Sequence, residues 1–190
     1  MSRESVLITA VVDVYEHRDV AIVDIPGTYL SADMDEEVHL CLQGQIAEMM
    51  VRTAPEVYTK YVTLQNGKPI LYVRLIKALC GCLSSALLFY NKLVVDIEAY
   101  GFTINPYDPC VTNKMVNEKQ LDVTWHVDDL NISHVDSKVV TGLIEYLKSI
   151  YGKMHGSCEK KHTYLGMWLD YSKDREVNIS TEQFLCDVIS

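Results

Sequence analysis

Two adjacent aspartates, Asp128 and Asp129, are the residues of this sequence best suited to chemistry. They lie between two apolar, strand-like runs, residues 120–127 and the run that begins at residue 130. Neighbouring carboxylates repel one another unless a cation or water lies between them. A hairpin tip that carries both is therefore a candidate site for Mg²⁺ or Mn²⁺, which prefer oxygen ligands. A solvated turn explains the pair equally well, because aspartate is common in turns.

A third carboxylate, Asp24, ends the β-branched run of residues 20–24 and is followed by the turn residues Pro26 and Gly27. A strand that ends in aspartate before a turn holds that carboxylate at the edge of a sheet. Two carboxylate sites of this kind would suit a pair of metal ions, which align an attacking hydroxyl with a leaving oxygen. The sequence alone leaves open whether Asp24 and Asp128 are neighbours.

The elements that must position these aspartates alternate between strands and helices along the chain. Periodicity and turn residues predict helices at 45–52, 83–100 and 138–150, and strands at 20–24, 38–42, 58–64, 69–75, 110–116, 120–127, 164–171 and 176–179. Asn66-Gly67 is typical of a tight hairpin turn. This alternation favours an α+β fold in which helices cover one face of an antiparallel sheet.

Two of these elements carry specific predictions about which side chains share a face. In strand 120–127, alternation places His126 and Asp128 on the face opposite Trp125. In helix 83–100, the apolar face is predicted to contain Leu83, Ala86, Leu87, Tyr90, Leu93, Val94 and Ile97.

Composition excludes several classes of protein. Among 190 residues the formal net charge is −9, which argues against a free-standing nucleic-acid-binding protein. No apolar run approaches the ~20 residues that cross a membrane, and the first ten residues lack the apolar core of a signal peptide. Six scattered cysteines without zinc-like spacing predict buried, reduced thiols, so we expect a soluble intracellular protein.

Six motifs, in order along the chain, resemble those of copia-type retrotransposon reverse transcriptases. The first, residues 23–30, resembles Asp-x-x-x-Ala-[Phe/Tyr]-Leu, and residues 33–42 look like the acidic stretch and strand that follow it. Residues 79–90 resemble Leu-Tyr-Gly-Leu-Lys-Gln-x-x-x-x-Trp-Tyr. Gly101-Phe102 and residues 108–111 resemble the family's Gly-Phe and Asp-Pro-Cys-Val. Residues 126–129 resemble its Tyr-Val-Asp-Asp box, and residues 164–167 resemble its [Phe/Tyr]-Leu-Gly-[Ile/Met] strand.

The resemblance implies the palm of a right-hand polymerase that synthesises DNA on an RNA template with Mg²⁺ or Mn²⁺. Asp24 and Asp128 would be the main metal ligands and Asp129 a supporting carboxylate. The primer 3′-hydroxyl, activated at the metal, would be the nucleophile.

Three further roles follow from the same resemblance. Tyr29 would lie under the deoxyribose and exclude a 2′-hydroxyl, and Gly81 would let the backbone approach nucleotide or template closely. Tyr164, Leu165, Gly166 and Met167 would form the primer grip. Plainer interpretations are a buried aromatic residue for Tyr29, a helix breaker for Gly81 and an edge strand for the grip.

The chain departs from the family pattern at three places. His126 and Cys80 stand where the family usually has tyrosine, and Ser84-Ser85 stand where it has Lys-Gln. These changes leave all three aspartates intact. His126 would serve as a metal ligand or proton relay, although a structural role is commoner for a strand histidine.

The resemblance also predicts what surrounds this chain. Residues 1–190 are expected to be a single palm domain, with residues 20–190 matching the family and the flanking fingers, thumb and RNase H segments absent. Expected partners are an RNA or DNA template-primer, deoxynucleoside triphosphates and the rest of the retrotransposon polyprotein. The expected location is cytoplasmic, in the parent element's virus-like particle, or nuclear.

Two rival functions fit part of the sequence. In the first, the chain is a catalytically inactive retrotransposon relic that acts, if at all, through protein contacts. Alternatively, His126, Asp128, Asp129 and His134 would form a metal-dependent phosphohydrolase that needs no template.

Overall fold

The computed structural model describes residues 1–189, so Ser190, the last residue of the predicted domain, lies outside the described residues. The chain divides into two compact units, one formed by Met1–Thr28 with the chain from Tyr90 onward, the other by Tyr29–Phe89. Both units mix helices with antiparallel sheets, which confirms the predicted α+β class. No helix within residues 1–189 is long and apolar enough to cross a membrane.

The first unit is built on a six-stranded sheet in the order β5-β6-β7-β8-β1-β9, in which every pairing is antiparallel. Its strands are β1 (Asp19–Asp24), β5 (Thr103–Ile104), β6 (Val111–Val116), β7 (Lys119–His126), β8 (Asp129–His134) and β9 (His155–Ser157). The middle of β7 is buried on both faces, from Leu121 to Trp125. The sheet is therefore the core of this unit.

The first unit also contains the helices α1 (Arg3–Tyr15), α5 (Ser137–Tyr151) and α6 (Glu182–Ile189), and most of α4 (Ser85–Ala99), which begins in the second unit. Helix α4 buries Ser85, Phe89, Leu93 and Ile97, one residue per turn. Helix α5 packs against β1 and β8 through Val140, Leu143, Ile144 and Leu147. Asp136 caps its start by accepting a hydrogen bond from the Lys138 backbone N–H.

Helix α1 begins at a polar anchor that also involves the Asp108 loop. The Ser2 side chain accepts a hydrogen bond from the Ser5 backbone N–H, while the Ser5 hydroxyl donates to the Asp108 carboxylate at 2.6 Å. Burial would raise the pKa of Asp108, but hydrogen bonds from Ser5, Ser2 and Cys110 lower it to about 2. Asp108 is therefore a charged tether between α1 and the loop before β6.

A second sheet of the first unit joins β10 (Lys161–Tyr164), β11 (Met167–Asp170) and β12 (Asn178–Ser180). Val6 of α1, Tyr164 and Leu169 form its small core. Residues 164–171 were predicted to be one strand, and that prediction is wrong. Leu165 and Gly166 have positive φ values of 52° and 72°, and they turn the chain into a hairpin.

The second unit contains β2 (His39–Gln43), α2 (Gln45–Thr53), α3 (Pro55–Tyr58), β3 (Thr63–Gln65) and β4 (Lys68–Arg74). Its three strands pair in the order β2-β4-β3. The predicted hairpin at Asn66-Gly67 is confirmed, with φ values of 53° and 73°. Its first arm is shorter than predicted, because residues 55–61 are helical.

Two burial predictions from the sequence are wrong. Leu83, Ala86 and Leu87 of the predicted apolar face are exposed, because Ser85 and Phe89 turn inward instead. None of the six cysteines is buried, although all six are free thiols. Apolar spacing predicted the helix itself correctly, but it did not distinguish between two overlapping faces.

At the start of β1 lies a cluster of one buried cation, two buried carboxylates and the exposed carboxylate of Glu16. The Arg18 guanidinium donates to the Asp122 carboxylate, and its Nη2 and Nε donate to Glu16 at 2.8 and 2.9 Å. Asp122 also accepts a hydrogen bond from Gln120 at 2.7 Å. Asp13 is only 1% exposed, and its Oδ1 lies 3.9 Å from the Arg18 Nη1, beyond hydrogen-bonding distance.

The Asp13 carboxyl is consequently difficult to ionise. Burial raises its pKa to about 7, against a lowering influence from Ser133 and Arg18. The Ser133 hydroxyl is near, but it forms no hydrogen bond of ordinary geometry with either Asp13 oxygen. Because the pKa in the folded state is raised above that of the unfolded chain, the folded state holds a proton that the unfolded chain releases.

We predict that Asp13→Asn will increase stability at pH 8 and change it little at pH 4. The sign follows from linkage: the stability that protonated Asp13 gives is present below pH 4 and is lost as the pH rises through about 7. A shift from 3.8 to about 7 corresponds to at most about 4 kcal/mol. Urea unfolding of both proteins at several pH values measures the difference.

Exposed Asp19, at the start of β1, provides the matched control. Asp19→Asn should leave the pH profile parallel to that of the unsubstituted chain. Parallel profiles for Asp13→Asn as well would show that Asp13 ionises normally in the folded protein.

Candidate active site

Four strands of the central sheet bring two aspartates and two histidines into one row. Asp24, the last residue of β1, lies directly opposite Asp129, the first residue of β8. His126 of β7 lies opposite Asp129 on the other side, and His155 of β9 lies opposite Asp24. Directly opposed residues share a face, with Cβ atoms about 5 Å apart. The row is therefore His126, Asp129, Asp24, His155.

Asp128 belongs to the turn that joins β7 to β8. Strand β7 ends at His126 and β8 begins at Asp129, so Val127 and Asp128 form a two-residue turn. The Ile25 backbone N–H donates to the Asp128 carbonyl oxygen at 3.1 Å, which connects the turn to the end of β1. The sequence placed Asp128 on the face of His126, but the turn interrupts the alternation and puts Asp129 on that face.

Val127 has an unusual backbone conformation, with φ of 57°. This left-handed region is unfavourable for a β-branched residue, and tight hairpins usually place glycine there. Such strain persists only where the surrounding structure holds the backbone, and it concentrates at functional sites. Here the β7–β8 pairing and the Ile25 hydrogen bond hold the turn.

The three aspartates are half-buried and influence one another electrostatically. Burial raises the pKa of Asp129, and the neighbouring Asp128 and Asp24 carboxylates raise it further, while His126 opposes the shift. Charge repulsion at this end of the sheet would be relieved by a proton or by a bound cation. Among residues 1–189, however, no three His, Cys, Asp or Glu side chains already converge as a metal-binding group.

His155 was missed by the sequence analysis. Strand β9 has only three residues and lacks an apolar pattern, so nothing in the sequence indicated that it would pair with β1. A glycine makes the pairing possible: a Cβ at Gly156 would lie 2.9 Å from the Ile22 carbonyl oxygen. The sequence Met154-His155-Gly156 indicates a short strand only once its pairing with β1 is known.

His134 does not join the row. It lies at the other end of β8, opposite Asp19 and five residues from Asp129, which corresponds to about 17 Å along a strand. It is buried, and its Nδ1 accepts a hydrogen bond from the Asp136 backbone N–H at 3.0 Å. The site of His126, Asp128, Asp129 and His134 considered for a phosphohydrolase is therefore not assembled.

The predicted primer-grip residues form the β10–β11 hairpin. Tyr164 is 1% exposed and packs in the small core of the β10-β11-β12 sheet. Leu165, Gly166 and Met167 are half-buried. Burial raises the pKa of the Tyr164 hydroxyl, and the nearby Asp129 charge raises it further. That hydroxyl donates to the Thr124 carbonyl oxygen at 3.5 Å. Tyr164 is thus a buried, neutral phenol near Asp129.

The two predicted nucleotide-binding residues belong to the second unit. Tyr29 is half-buried in a single 3₁₀ turn, Thr28–Ser31. Gly81 is exposed with φ of +97°, and a Cβ there would meet no atom within 4 Å. No neighbouring atom crowds this position, so close packing does not explain the glycine. The positive φ explains it, because residues with a Cβ rarely adopt that conformation.

Comparison with known proteins gives a likeness of fold alone. No protein-family model matches this sequence, and a search of curated proteins finds no match. Among solved structures, apo telomerase from Candida tropicalis, truncated from the C-terminal domain, is similar with a TM-score of 0.50. The two chains are 12% identical, and the match covers 94% of this chain but only 40% of the telomerase chain.

Proposed function

We propose that this chain is the palm of a copia-type RNA-directed DNA polymerase, in which Asp24, Asp128 and Asp129 hold divalent metal ions. The observation that carries the proposal is the β1–β8 register, which sets Asp24 directly opposite Asp129 and beside the Asp128 turn. Telomerase has a polymerase-related fold, and the likeness to it supports this assignment at the level of architecture.

The donor chemistry of the site fits Mg²⁺ or Mn²⁺. Three half-buried carboxylates supply hard oxygen ligands. Burial, and then the negative charges of Asp128 and Asp24, raise the pKa of Asp129. The side chains would need to rotate toward a common point, while the strand pairing already fixes their backbones. When bound, such ions stabilise negative charge on the attacking and leaving oxygens of an in-line displacement.

The chain's own residues have separate tasks in this proposal. Asp24 and Asp128 would fix the position of the primer 3′-hydroxyl and the triphosphate through the ions they hold, and Asp129 would complete the carboxylate set. Tyr29 would exclude the ribose 2′-hydroxyl. Residues 164–167 would lie along the primer, with the buried Tyr164 ring supporting their turn.

Asp24→Asn and Asp128→Asn should each weaken Mn²⁺ binding about tenfold or more, since even outer-shell changes at metal sites have effects of that size. Mn²⁺ titration followed by paramagnetic broadening of backbone NMR signals measures this. Broadening should centre on residues 24–25 and 126–130 in the unsubstituted chain.

Asp19→Asn is the matched control, because Asp19 is exposed and begins the same strand that Asp24 ends. It should bind Mn²⁺ normally. Broadening elsewhere, or equal affinity in all three variants, would contradict a metal site at the aspartates.

Tyr29→Val should increase ribonucleotide incorporation relative to deoxyribonucleotide incorporation, because a smaller side chain removes the clash with a 2′-hydroxyl. Primer extension with matched nucleotide pairs measures the ratio. The control is Tyr61→Val, which removes an exposed ring from the same unit. Unchanged discrimination in Tyr29→Val would remove Tyr29 from the nucleotide site.

Primer extension on an RNA template should be slow for these 190 residues alone and faster after fusion to a basic upstream segment. The net charge of −9 repels template-primer, and phosphoryl transfer depends on cationic groups that position the triphosphate. Asp128→Asn provides the blank for both proteins. If the fused protein shows no Asp128-dependent extension, that result favours the inactive relic instead.

A further inference from the structure

A cavity of about 220 Å³ lies between the end of α1 and the loop that follows β11. Every residue that lines it belongs to the first unit. Its charged lining residues are mainly cations, with Arg18, Lys160, Lys173 and Arg175 against Asp13 and Asp174. In a chain whose net charge is −9, this local excess of positive charge indicates an anionic ligand.

Two of the four cations are available to such a ligand. Lys160 and Arg175 are exposed, and neither forms an ion pair among the side chains that the structure describes. Lys173 lies 3.4 Å from Glu176, but an exposed pair of this kind is weak and yields readily to another partner. Buried Arg18 already donates hydrogen bonds to two carboxylates.

The two carboxylates of the lining oppose this positive charge only weakly. Asp174 already has a partner, because the His17 Nδ1 lies 3.1 Å from its Oδ1. The Asp13 oxygens are buried, so a ligand in the cavity does not meet them. Burial also raises the pKa of Asp13 to about 7, which keeps its carboxyl largely uncharged below neutral pH.

Backbone contacts hold the two available cations in place. The Tyr171 N–H donates to the Lys160 carbonyl oxygen at 2.7 Å, which closes the base of the β10–β11 hairpin. Arg175 has φ of 57°, in the left-handed region where a turn usually places glycine. Residues other than glycine persist there only where the surrounding structure holds them, and such positions concentrate at functional sites.

The β10–β11 hairpin connects this cavity to the proposed polymerase site. At its turn, Tyr164 lies close enough to Asp129 for that charge to raise the pKa of the tyrosine, after the larger effect of burial. Lys160, at the base of the hairpin, is four residues away, or about 13 Å along a strand. A nucleic-acid strand carries one phosphate about every 3.4 Å of its helix axis, so about four nucleotides span this distance.

We propose that Lys160 and Arg175 bind the phosphate backbone of an RNA–DNA hybrid, about four nucleotides from the primer 3′ end. This placement rests on the proposed function, which puts the primer end at Asp24 and Asp128. The contact does not depend on base sequence, because phosphate contacts position a duplex without reading its bases. It adds affinity that metal ions at the aspartates do not supply.

The salt dependence of hybrid binding tests the two cations. Fluorescence anisotropy of a labelled RNA–DNA hybrid, measured in EDTA at several salt concentrations, gives the slope of log affinity against log salt. Lys160→Gln with Arg175→Gln should weaken binding about tenfold or more at low salt and make the slope shallower by about two. Lys160→Arg with Arg175→Lys keeps both charges and should retain the slope. Because EDTA removes divalent metals, the result does not depend on the metal site.

Lys119→Gln with Lys138→Gln is the matched control, because it removes two exposed lysines of the same unit that do not line the cavity. Its slope should equal that of the unsubstituted chain. Equal changes in the two double variants would overturn the proposal, and so would no change in either. Binding of inorganic phosphate at residues 160 and 175 without binding of the hybrid would indicate a small-anion site and would also overturn it.

A second measurement separates this contact from the proposed function. A primer with one uncharged methylphosphonate linkage, moved one position at a time, is bound to the chain in the presence of Mn²⁺. Binding should be weakest when the linkage lies about four nucleotides from the primer 3′ end, and the Lys160→Gln, Arg175→Gln variant should lose this minimum. A minimum elsewhere that this variant also loses would retain the phosphate contact but contradict a primer end at the aspartates. If no position depends on the two cations, the contact itself is wrong.

Discussion

The antiparallel pairing of β1 with β8 is the constraint on which the candidate site depends. Six consecutive residue pairs, from Asp19 opposite His134 to Asp24 opposite Asp129, fix one register, and a slip by one residue would turn every side chain to the other face. Such a slip is disfavoured because Ala21, Val23, Leu130 and Ile132 are all buried. The packing of apolar residues in mid-strand therefore determines where the two carboxylates meet at its end.

Sequence patterns predicted the elements of this site better than their arrangement. The β-branched run before Asp24 and the two runs around Asp128-Asp129 are strands as predicted, because local propensity and alternation carry that information. The row with His155 could not be predicted, since it depends on a three-residue strand that pairs with a residue more than 130 positions earlier. Helix α4 shows the same limit: its existence was clear, but tertiary packing chose which face is buried.

The likeness to telomerase and the register at Asp24 describe the same backbone at two different scales. The likeness concerns the path of the backbone over 94% of this chain, at an identity too low to carry residue roles. The register concerns six residue pairs within that backbone. A likeness of fold does not by itself indicate a function, so the palm assignment is a proposal that depends on what the aspartates bind.

The two ends of β1 present the same electrostatic problem with different solutions. At Asp24 three half-buried carboxylates lie near one another and near solvent, which partly screens their repulsion. At Arg18 the carboxylate excess is buried, and Asp13 relieves it by retaining a proton near neutral pH. A single six-residue strand thus separates a partly solvated group of carboxylates from a buried one whose charge is set by protonation. Since β1 is an interior strand that pairs with β8 and β9, the stability lost through repulsion at one of its ends limits how much repulsion the other end can tolerate.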